Sequence, residues 1–120
     1  MVPDFKKSDP HQESAQSQRE AQHIERHLSP KTYLAVLDSL GEELTSPQLA
    51  SSLADLMNRG VSDVTFLVGG HLGIPKRIKD RADLKLSLTK LTLPHELARV
   101  VLLEQIYRAV TIIKGLPYHK

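Results

Sequence analysis

Glu104 and Arg108 stand four residues apart, a spacing that puts both on one face of a helix. A carboxylate and a guanidinium so placed can position a polar reactant and balance charge on it. The same spacing describes an ordinary exposed ion pair, which contributes little. His95 and Arg99 repeat the interval, and His95 equally reads as a polar residue opening a helix. His23 and His27 are again four apart and could hold zinc, but no third ligand or cysteine accompanies them, so no metal is expected. Tyr118-His119-Lys120 offers a ring that can stack on a base and two cations that can meet phosphate, or else a frayed terminus. Gly69-Gly70-His71-Leu72-Gly73 lets a backbone come close to a ligand, and alone it reads as a turn.

Hydrophobic periodicity supplies the elements that would position these groups. Residues 1–13, with Pro3 and Pro10, read as a tail or loop. Ala21, Ile24 and Leu28 mark a weakly amphipathic helix over 14–28, ended by Ser29-Pro30. Three short apolar runs read as buried strands: Tyr33–Leu37, Val64–Val68 and Leu84–Leu88. Between them lies a helix capped by Ser46, with Pro47 in its first turn, Leu49, Leu53, Leu56 and Met57 on one face, and Gly60 as its stop. A short helix follows over Pro75–Arg81. The last helix, His95 to Lys114, stops at Gly115 with Pro117 beyond; apolar on most of its surface, it is expected to be largely buried.

Strands alternating with helices predict a parallel sheet in an α/β domain. Ligands in such sheets sit outside the carboxyl ends of the strands. That places a candidate pocket among the loops Asp38–Thr45, Gly69–Pro75 and Thr89–Pro94 before any family is considered.

Composition narrows the class further. A 120-residue chain with 40% hydrophobic and 25% charged residues suits one folded domain with one core. Cysteine is absent, which fits a reducing compartment. Glu104, Gln105 and Arg108 interrupt the longest apolar stretch, so no membrane span is expected, and the N-terminus lacks a signal-peptide core; a cytoplasmic protein is the default. Charge is unevenly spread: residues 1–75 carry 6 Lys/Arg and 10 Asp/Glu, while residues 76–120 carry 10 and 4. The basic C-terminal part could meet a polyanion such as RNA, or could be a solvated charged face.

Several segments together resemble the ribosomal large subunit methyltransferase H family. They are Leu91-Thr92-Leu93-Pro94-His95, Arg99-Val100-Val101, Glu104-Gln105-Ile106-Tyr107-Arg108-Ala109 and Pro117-Tyr118-His119-Lys120. Upstream, Phe66-Leu67-Val68-Gly69-Gly70, Ser46-Pro47-Gln48-Leu49-Ala50 and Leu37-Asp38 with Gly41 keep the family's order. The resemblance implies a SPOUT-type, mostly parallel sheet with a C-terminal trefoil knot, a topology that general chain rules would not predict. Family members usually begin with a strand, a helix and a second strand; this sequence starts where that second strand would be ending, near Val2-Pro3-Asp4. The expected domain is therefore a single, N-terminally shortened SPOUT unit over residues 1–120. The absent strands would lie beside Val64–Val68, whose edge is expected to be covered by the N-terminal tail or by a second subunit.

The activity so implied is methylation of N3 of a pseudouridine in 23S rRNA of the ribosome, with S-adenosylmethionine as cofactor, by a homodimer. The cofactor site carries over to Leu37, Gly69 and Leu88-Thr89-Lys90-Leu91-Thr92-Leu93. Methyl transfer to an N–H centre needs alignment of acceptor, methyl and sulfur, and a route for the leaving proton. Glu104, Arg108 and His119 are the expected catalytic residues, and His95, Arg99, Tyr118, His119 and Lys120 the expected substrate contacts. Two other functions compete: a catalytically weakened or inactive form that keeps cofactor or RNA binding, and a small α/β interaction module.

Overall fold

The computed structural model describes residues 10–69 and 73–118, with side chains from Gln18 onward. The order of elements is α1 (Pro10–His27), β1 (Tyr33–Glu43), α2 (Ser46–Asn58), β2 (Val64–Leu67), α3 (Lys76–Arg81), β3 (Leu84–Ser87) and α4 (His95–Ile113). The strands form a parallel sheet in the order β2-β1-β3, as the alternation of elements predicts.

Side-chain alternation along the strands divides the core into two layers. Leu34 and Val36 of β1 point to one face, where they pack with Ala21 of α1 and with Ile74 and Ile78 at α3. The other face gathers Leu49 and Ala50 of α2, Leu86 of β3 and Ala109 of α4, with Leu37 and Phe66 against them. The sheet is thus sandwiched between α1/α3 and α2/α4, the arrangement that parallel strands require to bury both faces.

Four local features differ from the sequence reading. Helix α1 begins at Pro10, inside the stretch read as tail, because the fixed φ of proline and its missing N–H suit a first helical turn. Helix α2 is capped by Thr45 rather than Ser46. The Thr45 hydroxyl accepts from Gln48 N at 3.2 Å, and the Gln48 side chain accepts from Thr45 N at 2.8 Å. That reciprocal pair is a capping box, and it leaves the Ser46 hydroxyl for another partner. Strand β1 runs on to Glu43 instead of ending at Leu37. Both Leu37 and Glu42 lie opposite Leu86, so residues 38–41 bulge out and pairing then resumes. Gly41 sits at the crossing; a Cβ there would come 2.5 Å from the Lys85 carbonyl oxygen.

The fourth difference concerns α4. Leu102, Ala109 and Thr111 are buried, but Val100, Leu103 and Tyr107 are 62%, 59% and 58% exposed. The helix packs on α2 along one side, and no described element covers the other. Its hydrophobicity therefore does not translate into burial within one chain. Strand β2, whose edge is expected to need a cover, is an edge strand among the described residues, and its residues are half-buried.

Candidate active site

Parallel register brings the expected cofactor residues to one end of the sheet. Val36 pairs with Leu67 and Leu37 with Leu86, so Leu37, at the start of the β1 bulge, stands level with the carboxyl ends of β2 and β3, which Gly69 and Leu88 follow. Ser87 ties two of the loops together: its hydroxyl reaches Ser39 O at 3.3 Å and Thr89 O at 3.0 Å. Thr89 in turn accepts from Leu91 N at 3.2 Å, a local bond that turns the loop after β3. Lys79 lies 3.7 Å from the Asp38 carboxylate, which also accepts from Leu40 N, so the bulge is held from both sides.

Two hollows flank this end of the sheet. The larger, of about 470 Å³, lies between α1 and the end of β2 and includes Gly69, Gly73 and Pro75. The smaller, of about 240 Å³, is bounded by Leu44, Ser46, Leu86, Leu88, Val101 and Gln105. Gly69 and Leu88 therefore open into different hollows, and neither hollow is lined by all three loops. Leu88, Thr89 and Leu93 are half-buried, whereas Lys90, Leu91 and Thr92 are exposed, with Lys90 3.8 Å from Glu43.

On α4, the Glu104–Arg108 spacing becomes a real contact. Arg108 Nε donates to Glu104 Oε1 at 2.9 Å, and Nη2 donates to the same oxygen. Gln105 Nε2 donates to Glu104 Oε2 at 2.8 Å, and the Tyr118 hydroxyl reaches Oε1 at 3.3 Å. The Arg108 guanidinium holds the Glu104 carboxyl below the usual carboxylate range, with the two neutral donors adding to the effect. The same contact raises Arg108 further. Glu104 is thus a weak base and a firm anchor. It fixes Arg108, whose plane lies 5.1 Å from the centre of the Tyr118 ring.

The end of α4 explains how Tyr118 gets there. Gly115 has φ +71°, Leu116 N bonds to Thr111 O at 2.8 Å, and Gly115 N bonds to Ile112 O at 3.1 Å. This is a Schellman stop, which reverses the chain. Tyr118 then packs edge-on against Tyr107, with centroids 4.9 Å apart.

Sequence reasoning passed over Ser46, Gln105 and Tyr107 as site residues. Ser46 Oγ donates to Gln105 Oε1 at 2.5 Å, linking the start of α2 to the Glu104 cluster across the smaller hollow. Gln105 and Tyr107 belong to the stretch that carries the resemblance, and that was the available signal. His95 and Arg99 are exposed and form no ion pair with a described residue. His119 and Lys120 lie outside the described residues, as do Gly70, His71 and Leu72. His23 and His27 stack at 4.6 Å, and no group of three metal-ligating side chains occurs among the described residues.

A parallel α/β domain with loops at the carboxyl ends of its strands, and a charged cluster on the helix beside them, is a frame for ligand binding. Comparison with known proteins gives the family. The family model described as "Predicted SPOUT methyltransferase" matches residues 2–119. A protein of Methanococcus maripaludis is 50% identical over 103 residues, 86% of this chain and 65% of that protein. Two relatives named "Ribosomal RNA large subunit methyltransferase H" come from Desulfitobacterium hafniense and Leuconostoc citreum. The first is 45% identical over 102 residues, covering 85% of this chain and 64% of the relative. The second is 43% identical over 123 residues, covering 99% and 77%. The chain belongs to the SPOUT methyltransferase family. It spans slightly under two thirds of the length of the first two of these relatives.

Proposed function

We propose that residues 1–120 act as one SPOUT domain that transfers a methyl group from S-adenosylmethionine to N3 of a pseudouridine in 23S rRNA, on the ribosome in the cytoplasm. The observation that carries this reading is the smaller hollow. It joins the loop after β3, at Ser87 and Leu88, to α4 at Val101 and Gln105, one residue from the Glu104–Arg108 pair.

The residues present fit the cofactor. Leu86 and Leu88 line the smaller hollow and offer aliphatic surface for an adenine, and Gly69 lies so close to Gly73 that a Cβ would come 3.0 Å from its carbonyl carbon. Leu37, Gly69 and Leu88–Leu93 would hold the group, and when bound it supplies an activated methyl on a sulfonium. The protein's own part is positional. Arg108, clamped by Glu104, would face the acceptor base and compensate charge as N3 gives up its proton to solvent water. Tyr118 gives the base a stacking surface, joined by His119 and Lys120 at the substrate side, while His95 and Arg99 meet the rRNA from the start of α4.

The exposed Val100, Leu103 and Tyr107 support a homodimer, since an apolar helix stripe of this kind is otherwise costly in water. The close crossing at Gly41 and Lys85 is consistent with a C-terminal segment threaded as a trefoil knot. No described helix is long and apolar enough to cross a membrane.

A second reading is a form that binds cofactor or RNA without turnover. The separation of Gly69 and Leu88 between two hollows favours it. Calorimetric titration with S-adenosylmethionine, followed by labelled methyl transfer to ribosomes lacking the modification, decides the matter. Binding with transfer supports the enzyme, binding without transfer supports the second reading, and no binding refutes both cofactor assignments.

A further inference from the structure

The α1/α3 layer presents a second charged surface, on the side of the sheet away from α4. Ala21, Ile24 and Leu28 turn one side of α1 into the core. At about 100° per residue this places Arg19, His23, Arg26 and His27 on the opposite, outward side. Lys31 follows α1, and α3 adds Lys76, Arg77 and Arg81; all are exposed.

Compensation on this surface is partial, since Glu20 and Glu25 on α1 and exposed Asp80 on α3 lie among the cations. Arg77 is paired to Glu25 at 2.6 Å, and Lys79 to Asp38 at 3.7 Å. Arg26, Lys31 and Lys76 form no ion pair with a described residue, and the Arg81 guanidinium donates to the Ser29 carbonyl at 3.4 Å. The cations also form a track rather than a point. Lys76 follows Gly73–Pro75 at the carboxyl end of the sheet, while Arg81 touches Ser29 just before β1 begins. Lys76 and Arg81 are five residues apart on α3, about 7.5 Å along its axis at about 1.5 Å per residue. The exposed surface of α4 is mixed: His95, Glu96 and Arg99 lie in its first turns, and Val100, Leu103 and Tyr107 form an apolar stripe beyond them.

We propose that the α1/α3 face is a separate rRNA contact, taking consecutive backbone phosphates without reading bases, while the α4 end addresses the target nucleotide. Spread cations, with only the His23 and His27 rings among them, favour a sugar-phosphate backbone over base readout, since most hydrogen bonds to nucleic acid go to phosphate and sugar. The inference rests on the rRNA reading above and assigns that substrate a second surface.

The test is filter binding of purified 23S rRNA to the full chain across a salt series, comparing wild type with the combined variant Arg26→Ala, Lys31→Ala, Lys76→Ala. Loss of three phosphate contacts should flatten the salt slope by about 2 units and weaken binding about tenfold or more at physiological salt. Calorimetric affinity for S-adenosylmethionine should stay unchanged, which also reports an intact fold. Lys31→Gln alone, at an exposed connector, should flatten the slope by about 0.7 unit. Wild-type rRNA binding that the variants retain with unchanged slope overturns this inference alone. A wild-type chain that binds the cofactor but not rRNA overturns it together with the rRNA reading. Loss of binding to phosphatidylglycerol vesicles with rRNA binding intact would reassign the face to a membrane surface and overturn it as well.

Discussion

Replacing Gly41 with alanine tests the crossing that shapes the cofactor end of the sheet. In an unstrained position, Gly→Ala stabilises a protein by about 0.4–1 kcal/mol, because the unfolded chain loses freedom. Gly41 has no positive φ, so backbone strain does not oppose the change. Space does. The new Cβ would lie 2.5 Å from Lys85 O, 2.7 Å from Lys85 C and 3.0 Å from Asp38 O. All three atoms are backbone, so no flexible side chain can swing aside, and either the bulge or β3 must shift. Overpacking of this kind costs about 1–3 kcal/mol, which outweighs the entropic gain and reverses the sign. Taking the middle of each range, the expected result is a net loss of about 1.3 kcal/mol in urea denaturation, equivalent to a melting temperature lower by several degrees. Because the displaced bulge adjoins Leu37, S-adenosylmethionine affinity should fall in the same variant. A stability equal to or above wild type, with unchanged cofactor affinity, would refute the close crossing and the loop geometry drawn from it.

Three further outcomes follow from the α4 cluster and its surroundings. Arg108→Ala should keep cofactor binding by calorimetry and lose most methyl transfer; equal turnover would remove Arg108 from the mechanism. Glu104 has a depressed folded-state pKa, so its contribution to stability is present above the ordinary carboxylate value of about 4.3 and fades as pH falls through the lower folded value. Denaturation curves recorded between neutral and strongly acidic pH should therefore show a smaller acid-induced loss for Glu104→Gln than for wild type, and parallel curves would contradict the assigned pairing. Leu103→Lys, at an exposed position, should leave the melting temperature of dilute protein nearly unchanged while shifting the mass found by light scattering from dimer to monomer; a dimer of undiminished affinity would place self-association elsewhere.

The sequence was most informative where the physics is local. Short apolar runs and helical periodicity located each strand and helix, though not the full length of β1, and the Glu104–Arg108 spacing anticipated a contact that the fold then built. The errors have physical causes. Ser46-Pro47 looks like a helix start, yet Thr45 one residue earlier has Gln48 at the reciprocal position, and that pair decides the cap. Gly41-Glu42-Glu43 is polar and reads as loop; only a second approach to Leu86, far along the chain, makes it strand. The bond from Ser46 to Gln105 is equally nonlocal. The hydrophobicity of α4 was read correctly, but burial was inferred from it, and burial depends on partners that a single chain does not supply.

On α4, Leu103 and Tyr107 directly adjoin Glu104 and Arg108 in sequence, and Tyr107 also supports the ring of Tyr118. Whatever shields the apolar stripe must therefore also border the charged cluster. If the shield is a second copy of the chain, as proposed above, the fraction of shielded helix rises with protein concentration by mass action. Specific activity per chain would then climb with concentration and level off, and simple dilution would act on this site as an inhibitor does.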